Sequence, residues 1–138
     1  MFLVYLISRA FCYTFTQMRP RALVVEDDST TRKLLRNLLE ERGCSVDEAV
    51  DGQQAINLLG QHDYAVVLLD IVLPRISGTA VMDYLTERDP AMLSRIIVVT
   101  GLNVAEIRKL FPAVCSALAK PVIPARLLQS VDACLNPP

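Results

Sequence analysis

The chain has 138 residues, of which 52% are apolar and 21% are charged, and its formal net charge is −1. This length suits one domain with a single sizeable core, and the composition is typical of a globular protein, not a disordered one. A nearly balanced charge without a long basic run excludes the electrostatic footprint of a nucleic-acid-binding protein. We therefore expect one domain, over residues 19–138, that does not bind nucleic acid directly.

Four cysteines lie far apart in the chain, and no two of them form a C-x-x-C pair; they are Cys12, Cys44, Cys115 and Cys134. In a chain of this size that spacing favours small buried apolar side chains in a reducing compartment, the cytoplasm. The sequence therefore predicts neither a zinc site nor a disulfide framework.

The first 18 residues differ in character from the rest of the chain. The apolar run over residues 1–7 is well short of the roughly 20 residues that span a bilayer, and it lacks the flanking pattern of a secretory signal. We expect no membrane span. Two explanations for residues 1–18 stay open: translation from a start codon upstream of Met18, or a tail that packs on a partner or on a second copy in a homodimer.

From Ala22 onward, short apolar runs alternate with helical patterns. The predicted strands cover residues 22–25, 44–49, 65–69, 96–99 and 116–119, and the predicted helices cover about 29–42, 52–60, 78–89, 104–110 and 125–135. In the first helix, which Ser29 can cap and Gly43 can end, one face holds Leu34, Leu35, Leu38 and Leu39. Five strands alternating with five helices predict a parallel sheet with helices on both faces, an α/β fold.

Charged and hydroxyl side chains follow four of the predicted strands. They are Glu26 and Asp27 after the first strand, Asp70 after the third, Thr100 after the fourth and Lys120 after the fifth. The carboxyl ends of parallel strands meet at one edge of the sheet, where ligands bind. Two carboxylates about 4 Å apart repel by about 4 kcal/mol at an effective dielectric of about 20, so three of them require a cation.

An oxygen-only ligand set without histidine or cysteine favours a hard divalent ion, and we expect Mg²⁺. With the metal, Lys120 and the Thr100 hydroxyl to compensate charge, Asp70 is a candidate nucleophile that accepts a phosphoryl group as an acyl phosphate. The alternative is that these residues are solvated strand ends. Taken alone, Asp70 favours that alternative, but the grouping of all the residues at one edge opposes it.

Four motifs in this order resemble the receiver domain of two-component response regulators. They are Val24-Val-Glu-Asp-Asp28, Asp70-x-x-x-Pro74-x-x-x-Gly78, Thr100-Gly101 and Lys120-Pro121, and the resemblance covers about five-sixths of the chain. It implies a flavodoxin-like, doubly wound sheet with strand order 2-1-3-4-5. It also implies a cis peptide bond between Lys120 and Pro121. At Pro74 and Gly78 we expect a tight turn, in which the glycine adopts unusual backbone angles.

The resemblance implies a role for each residue of the acidic cluster. Asp70 is the expected phosphoacceptor and, with Asp27, a direct ligand of Mg²⁺. Glu26 is expected to bind the metal through water, and Val72 to bind it with its backbone carbonyl.

The resemblance also implies roles for the residues around this cluster. Thr100 is the expected switch hydroxyl and Lys120 is expected to bind the phosphoryl group, whereas Asp28 is expected to cap the first helix. The implied phosphodonor is a histidine kinase or a histidine phosphotransfer protein, which would dock near Thr30 and Thr31. The downstream partner is a protein that the sequence does not identify.

The chain departs from the family pattern at one position and in the length of one span. Receivers usually carry Tyr or Phe three residues before the lysine, where this chain has Ala117, and the span from Thr100 to Lys120 is about two residues short. We therefore expect output through backbone shifts after Thr100 or through other helices. Val72 and Leu102 lie two residues after Asp70 and Thr100, and neither side chain can orient an attacking water. The phosphorylated state should therefore be long-lived.

The sequence thus predicts a stand-alone phosphoacceptor that catalyses its own Mg²⁺-dependent phosphorylation and dephosphorylation and signals by conformational change and partner binding. The alternative is a non-switching pseudo-receiver that acts as an interaction module, which Ala117 favours. A small nucleotide-binding enzyme is opposed by the absence of a Gly-rich loop after the first strand. His62, the one histidine, is predicted to be a solvated loop residue.

Overall fold

The computed structural model describes residues 19–73 and 75–137. Residues 1–18, with Cys12, lie outside this range, and so does Pro74 of the second motif. The two explanations for the amino-terminal segment therefore stay predictions. Within the described ranges, no helix combines the length and the hydropathy that crossing a membrane requires.

Strands and helices alternate along the described chain. The strands are β1 Arg21–Val25, β2 Ser45–Ala49, β3 Val66–Leu69, β4 Ile96–Thr100 and β5 Ser116–Ala119. The helices are α1 Ser29–Glu41, α2 Gly52–Gln61, α3 Gly78–Arg88, α4 Val104–Leu110 and α5 Pro124–Leu135, with a 3-10 helix at Pro90–Arg95. All strand pairs are parallel, and the order is β2-β1-β3-β4-β5. The predicted doubly wound fold and its strand order are confirmed.

The strands divide their side chains between two apolar cores. In β1, Leu23 and Val25 enter the core that is shared with α2, α3 and α4, whereas Ala22 and Val24 enter the core shared with α1 and α5. Strands β3 and β4 are buried along their whole length. Because both faces of these strands are covered by helices, their sequences are continuous apolar runs and do not alternate.

Side-chain caps start four of the five helices close to the carboxyl edge of the sheet. Asp28 Oδ2 accepts a hydrogen bond from Thr31 N at 2.8 Å and so caps α1, as the resemblance implied. Ser29 is instead the first residue of the helix, so its predicted capping role was wrong. The other caps are Asp51 for α2, Ser77 for α3 and Asn103 for α4. Each cap satisfies backbone N–H groups that have no partner within the helix.

The packing of α1 differs in one detail from the prediction. Leu35, Leu38 and Leu39 are buried, but Leu34 is 40% exposed and lies at the margin of the apolar face. Gly43 follows the helix with φ 81°, a left-handed conformation that favours glycine, and so ends the helix as predicted. The 3-10 helix at Pro90–Arg95 was not predicted, and it buries Met92 and Leu93.

Two cysteines are paired across the fold. Cys115, directly before β5, forms a disulfide with Cys134 in the last turn of α5, with Cα atoms 6.3 Å apart. The prediction of a chain without disulfides was wrong, because the packing of α5 brings together residues that are 19 positions apart. Cys44 is free and buried, as expected.

Candidate functional site

The predicted site residues meet at the carboxyl edge of the sheet. Glu26 and Asp27 follow β1, Asp70 follows β3, Thr100 ends β4 and Lys120 follows β5. Backbone hydrogen bonds continue past the strand ends: Asp70 N donates to Val25 O at 3.1 Å, and Lys120 N donates to Thr100 O at 2.9 Å. The sheet itself therefore fixes the positions of these residues relative to one another.

Lys120 bridges two carboxylates across the sheet edge. Its Nζ donates to Asp70 Oδ2 at 2.8 Å and to Glu26 Oε1. Both carboxylates lie in the interior, since Asp70 is 5% exposed and Glu26 is 1% exposed. Burial alone would lower the pKa of Lys120, but the bonds to Asp70 and Glu26 raise it above its usual value. Lys120 thus keeps its positive charge within the site.

Glu26, Asp27 and Asp70 form an acidic cluster in which one oxygen of each carboxylate lies within 4.8 Å of the others. Glu26 Oε2 is buried without a hydrogen-bond partner among the described residues, an arrangement that costs about 1–3 kcal/mol. Burial raises the pKa of Glu26 to about 7, even though Lys120 acts to lower it.

This cluster fits a divalent cation. The Lys120 ammonium is bonded to only two of the three carboxylates, and Glu26 Oε2 has no hydrogen-bond partner among the described residues, so a cation bound there would favour the ionised form of Glu26. Asp27 is exposed, so an ion here stays in contact with solvent and can keep part of its water shell. Oxygen donors with retained water are what Mg²⁺ prefers.

Asp70 is held in place by the turn that follows it. Its Oδ1 accepts a hydrogen bond from Val72 N at 3.0 Å, while Oδ2 accepts from Lys120. Gly78 N donates to Ile71 O at 2.9 Å, and a Cβ at Gly78 would overlap the Asp70 carbonyl and lie 2.6 Å from Ile71 Cα. Among the described glycines only Gly43 has a positive φ, so the predicted reason for Gly78 was wrong. Gly78 is required for close approach of α3 to the turn.

Thr100 and Val72 both lie beside the acidic cluster, and the roles that the resemblance implied for them stay predictions. Thr100 is fully buried, and its Oγ1 accepts a hydrogen bond from Leu102 N at 3.2 Å. Val72 is in contact with Asp70 through its amide, and metal binding by its carbonyl stays a prediction. The Lys120–Pro121 peptide bond is cis, as expected. Val72 and Leu102 are 58% and 47% exposed and form an apolar rim of the site.

Ala117 is buried in β5, where it pairs with Val98 of β4. Arg108 Nη2 on α4 donates to the Ala117 carbonyl at 3.3 Å. Strand β5 is thus tied to α4 through its backbone at the position where receivers usually carry an aromatic side chain.

Sequence reasoning missed two arginines beside the site. Arg32 Nη1 donates to the carbonyl oxygens of Glu26 at 3.0 Å and Asp27 at 3.3 Å. Its place in the first turns of the helix after the acidic pair was a usable signal. Arg75, with φ 62°, lies in the loop after Asp70 and pairs with the buried Asp51 at 3.4 Å. Nothing in the spacing of Arg75 and Asp51 indicates that contact.

A polar network lies away from the acidic cluster, at the opposite end of β1. Asp47 Oδ2 accepts hydrogen bonds from Arg21 Nε at 2.9 Å and from the Tyr64 hydroxyl at 2.7 Å. Arg21 Nη1 also lies 3.1 Å from His62 Nδ1, to which it donates. His62 lies in the loop after α2, as predicted, but it is half-buried in this network and not fully solvated.

A five-stranded parallel sheet of order 2-1-3-4-5, with an acidic cluster and a lysine at its carboxyl edge, defines the class of receiver domains. The family model of the response regulator receiver domain matches residues 22–132. The chain belongs to this family of two-component signalling proteins, whose members bind Mg²⁺ at an acidic pocket and interact with histidine kinases or phosphotransfer partners.

Individual relatives agree with this assignment. The transcriptional regulatory protein SrrA of Staphylococcus aureus is 37% identical over 70 residues, which are 51% of this chain and 29% of SrrA. The match therefore spans less than a third of that relative. A sensor protein from Polaromonas sp. JS666 shares 29% identity with a TM-score of 0.75, over 85% of this chain and 96% of its own.

A third comparison concerns the fold alone. The receiver domain of a sensor histidine kinase from Pseudomonas aeruginosa PAO1 has a TM-score of 0.75 and 24% identity, over 85% of this chain and 98% of its own. That protein has a magnesium ion coordinated in its active site cleft.

Proposed function

We propose that this chain is a phosphoacceptor that takes a phosphoryl group onto Asp70 from a histidine kinase or a histidine phosphotransfer protein, in an Mg²⁺-dependent reaction. One observation carries the proposal: the Lys120 ammonium is bonded to Asp70 and Glu26 at the same time, with Asp27 beside them. A carboxylate that is to accept additional negative charge needs such compensation. The family match supports the same conclusion.

The chemistry follows from the positions of these groups. An Asp70 carboxylate oxygen attacks phosphorus, and an O–P bond forms as the P–N bond to the donor histidine breaks, leaving the electron pair on the imidazole nitrogen. Lys120 binds the incoming phosphoryl oxygens, and the Thr100 hydroxyl lies one strand away as a further donor. When bound by Glu26, Asp27 and Asp70, Mg²⁺ supplies the remaining positive charge.

The proposal is tested by incubating the protein with acetyl phosphate and Mg²⁺ and measuring its intact mass. The wild type should gain the mass of one phosphoryl group, and a chelator should prevent the gain. Asp70→Asn should gain none. Asp63→Asn is a matched control, because Asp63 is an exposed carboxylate that pairs with Arg95 instead of with the cluster. A wild type that gains no mass would contradict the proposal.

A second candidate function is that of a non-switching interaction module, and buried Ala117 is the observation that favours it. Hydrogen exchange with and without beryllofluoride, a mimic of the phosphoryl group, separates the two functions. A switching receiver should change its exchange beyond the loops that contact the ligand, in the α4 to β5 region. Changes confined to the loops that contact the ligand would favour the non-switching module.

A further inference from the structure

Arg32 lies on α1 with its guanidinium directed back toward the end of β1. Its Nη1 donates to the carbonyl oxygens of Glu26 and Asp27, at 3.0 and 3.3 Å. Its side chain is only 19% exposed, and its Nε lies 3.7 Å from Glu48 Oε1. One rigid, planar group thus holds two consecutive carbonyls of the segment that carries the acidic pair.

Few other contacts restrain the backbone of Glu26 and Asp27. Glu26 N donates to Ala49 O at 3.0 Å, which continues the β1–β2 ladder, and Asp28 is fixed as the cap of α1. Asp27 lies between these two anchors and is exposed. The orientation of the peptide planes on both sides of Asp27 therefore depends on the contacts that Arg32 makes.

We infer that Arg32 is a positioning residue that orients the Glu26–Asp27 backbone so that both carboxylates face the cation site. The inference rests on the proposed function, because it concerns how the chain prepares the same site for Mg²⁺. Arg32 acts through the backbone, and it contacts neither Asp70 nor Lys120 in the hydrogen bonds and ion pairs of the described residues.

Two effects of removing Arg32 have opposite signs. Removing the positive charge of Arg32 would remove its Coulomb repulsion of Mg²⁺, and this effect alone would strengthen Mg²⁺ binding. The loss of the two carbonyl contacts would release the backbone and weaken binding, because the ligands would have to be ordered by the metal. The sign of the change in Mg²⁺ affinity therefore distinguishes positioning from a simple charge effect.

Arg36 provides a matched control on the same helix. Its guanidinium binds Glu48 at 3.0 Å and Glu40 at 2.8 Å, and so it shares the partner Glu48 with Arg32. Arg36→Ala removes the same charge and a bond to the same carboxylate. The described hydrogen bonds of Arg36 include no carbonyl of the acidic pair.

The experiment measures Mg²⁺ affinity by titration calorimetry and, in metal-free protein, hydrogen exchange of the amides at residues 26–28. Arg32→Ala should weaken Mg²⁺ binding by about tenfold and accelerate this exchange, whereas Arg36→Ala should leave affinity within about twofold. Arg32→Lys, which keeps the charge and a donor, should recover part of the loss. Thermal midpoints of the two alanine variants should be similar.

Unchanged or tighter Mg²⁺ binding by Arg32→Ala would overturn the inference, and so would equal effects of Arg32→Ala and Arg36→Ala. Phosphorylation is scored separately. A wild type that binds Mg²⁺ with the predicted Arg32 dependence but accepts no phosphoryl group would contradict the proposed function and support this inference. If the wild type binds no Mg²⁺, unchanged exchange at residues 26–28 in Arg32→Ala overturns the inference, and accelerated exchange supports the positioning role.

Discussion

At the scale of single residues, the site depends on a charge balance between one ammonium and three carboxylates. Lys120 is bonded to Asp70 and Glu26, both of which are nearly buried. Leaving a buried charge without its partner costs about 3–5 kcal/mol, so the loss of Lys120 would disfavour the ionised form of both carboxylates. The same balance explains why an extra negative group on Asp70 needs further positive charge.

The lifetime of the phosphorylated state should depend on Val72. Its apolar side chain lies on the exposed rim two residues after Asp70, where it cannot orient a water for attack on phosphorus. In Val72→Asn the amide can hold such a water, and we expect phosphate loss to accelerate by about tenfold. The measurement is the decay of the phosphorylated mass with time.

Leu110→Asn is the control for this substitution, since Leu110 is a large exposed apolar residue at the end of α4, outside the site. Its decay should match that of the wild type. An unchanged decay in Val72→Asn, or rapid decay in the wild type, would show that the Val72 side chain does not limit the attack of water on the phosphoryl group.

A second residue-scale prediction concerns Asp47 and acid stability. Burial acts to raise the pKa of Asp47, but hydrogen bonds from Tyr64 and Arg21 outweigh it and lower the pKa below its ordinary value of 3.8. A lowered carboxyl pKa stabilises the folded state above the unfolded value, and this contribution is lost as the pH falls through the folded pKa. The free energy of unfolding should therefore decrease below about pH 4.

Urea denaturation at a series of pH values measures this effect. Asp47→Asn should be less stable than the wild type near neutral pH, and the difference should shrink in acid. A difference between the two proteins that stays constant with pH would be evidence against the contribution of Asp47.

At the scale of elements, the turn after β3 is packed between the starts of two helices. A Cβ at Gly52, the first residue of α2, would overlap the Ile76 carbonyl, and one at Gly78 would overlap the Asp70 carbonyl. The turn therefore has little freedom to move away from the sheet. The motif made Gly78 recognisable in the sequence, but the reason for it is a contact between elements, which spacing alone does not reveal.

Gly78→Ala should distort the turn after Asp70. We expect a loss of about 1–3 kcal/mol in the free energy of unfolding, as for overpacking, together with weaker Mg²⁺ binding. Gly60→Ala is the control, because the nearest atom to a Cβ there is the Tyr84 hydroxyl at an ordinary 3.7 Å. As an alanine within a helix it should stabilise the protein by about 0.5–1 kcal/mol. Equal denaturation midpoints for the two variants would refute the packing explanation.

At the scale of the whole molecule, the parallel sheet collects at one edge residues that are up to 94 positions apart, such as Glu26 and Lys120. Strands β3 and β4 are buried on both faces and are therefore continuous apolar runs, which made these two strands predictable from the sequence alone. The strand order came from the family resemblance. The Asp47 network and the Cys115–Cys134 pair depend on packing between distant segments, which local sequence patterns do not encode. The carbonyl contacts of Arg32 span only five and six residues, so they were within reach of sequence reasoning.

The disulfide should contribute to the stability of the whole domain. It joins the start of β5 to the end of α5 across a separation of 19 residues, and the loop-entropy model gives about 3 kcal/mol for a loop of this length. A reductant should therefore lower the thermal midpoint of the wild type. Cys134→Ser should not respond to reductant, whereas Cys44→Ser should still respond. Equal midpoints of the wild type with and without reductant would contradict this contribution.

The central claim, that the Lys120-bound carboxylate of Asp70 accepts the phosphoryl group, is tested most directly by locating the modified residue. Borohydride reduces an aspartyl phosphate to homoserine, which peptide sequencing by mass spectrometry identifies. After treatment with acetyl phosphate and Mg²⁺, we predict homoserine at position 70 alone, and none when Mg²⁺ is omitted. Homoserine at another aspartate, or an unmodified Asp70 in protein that has gained a phosphoryl group, would contradict the account.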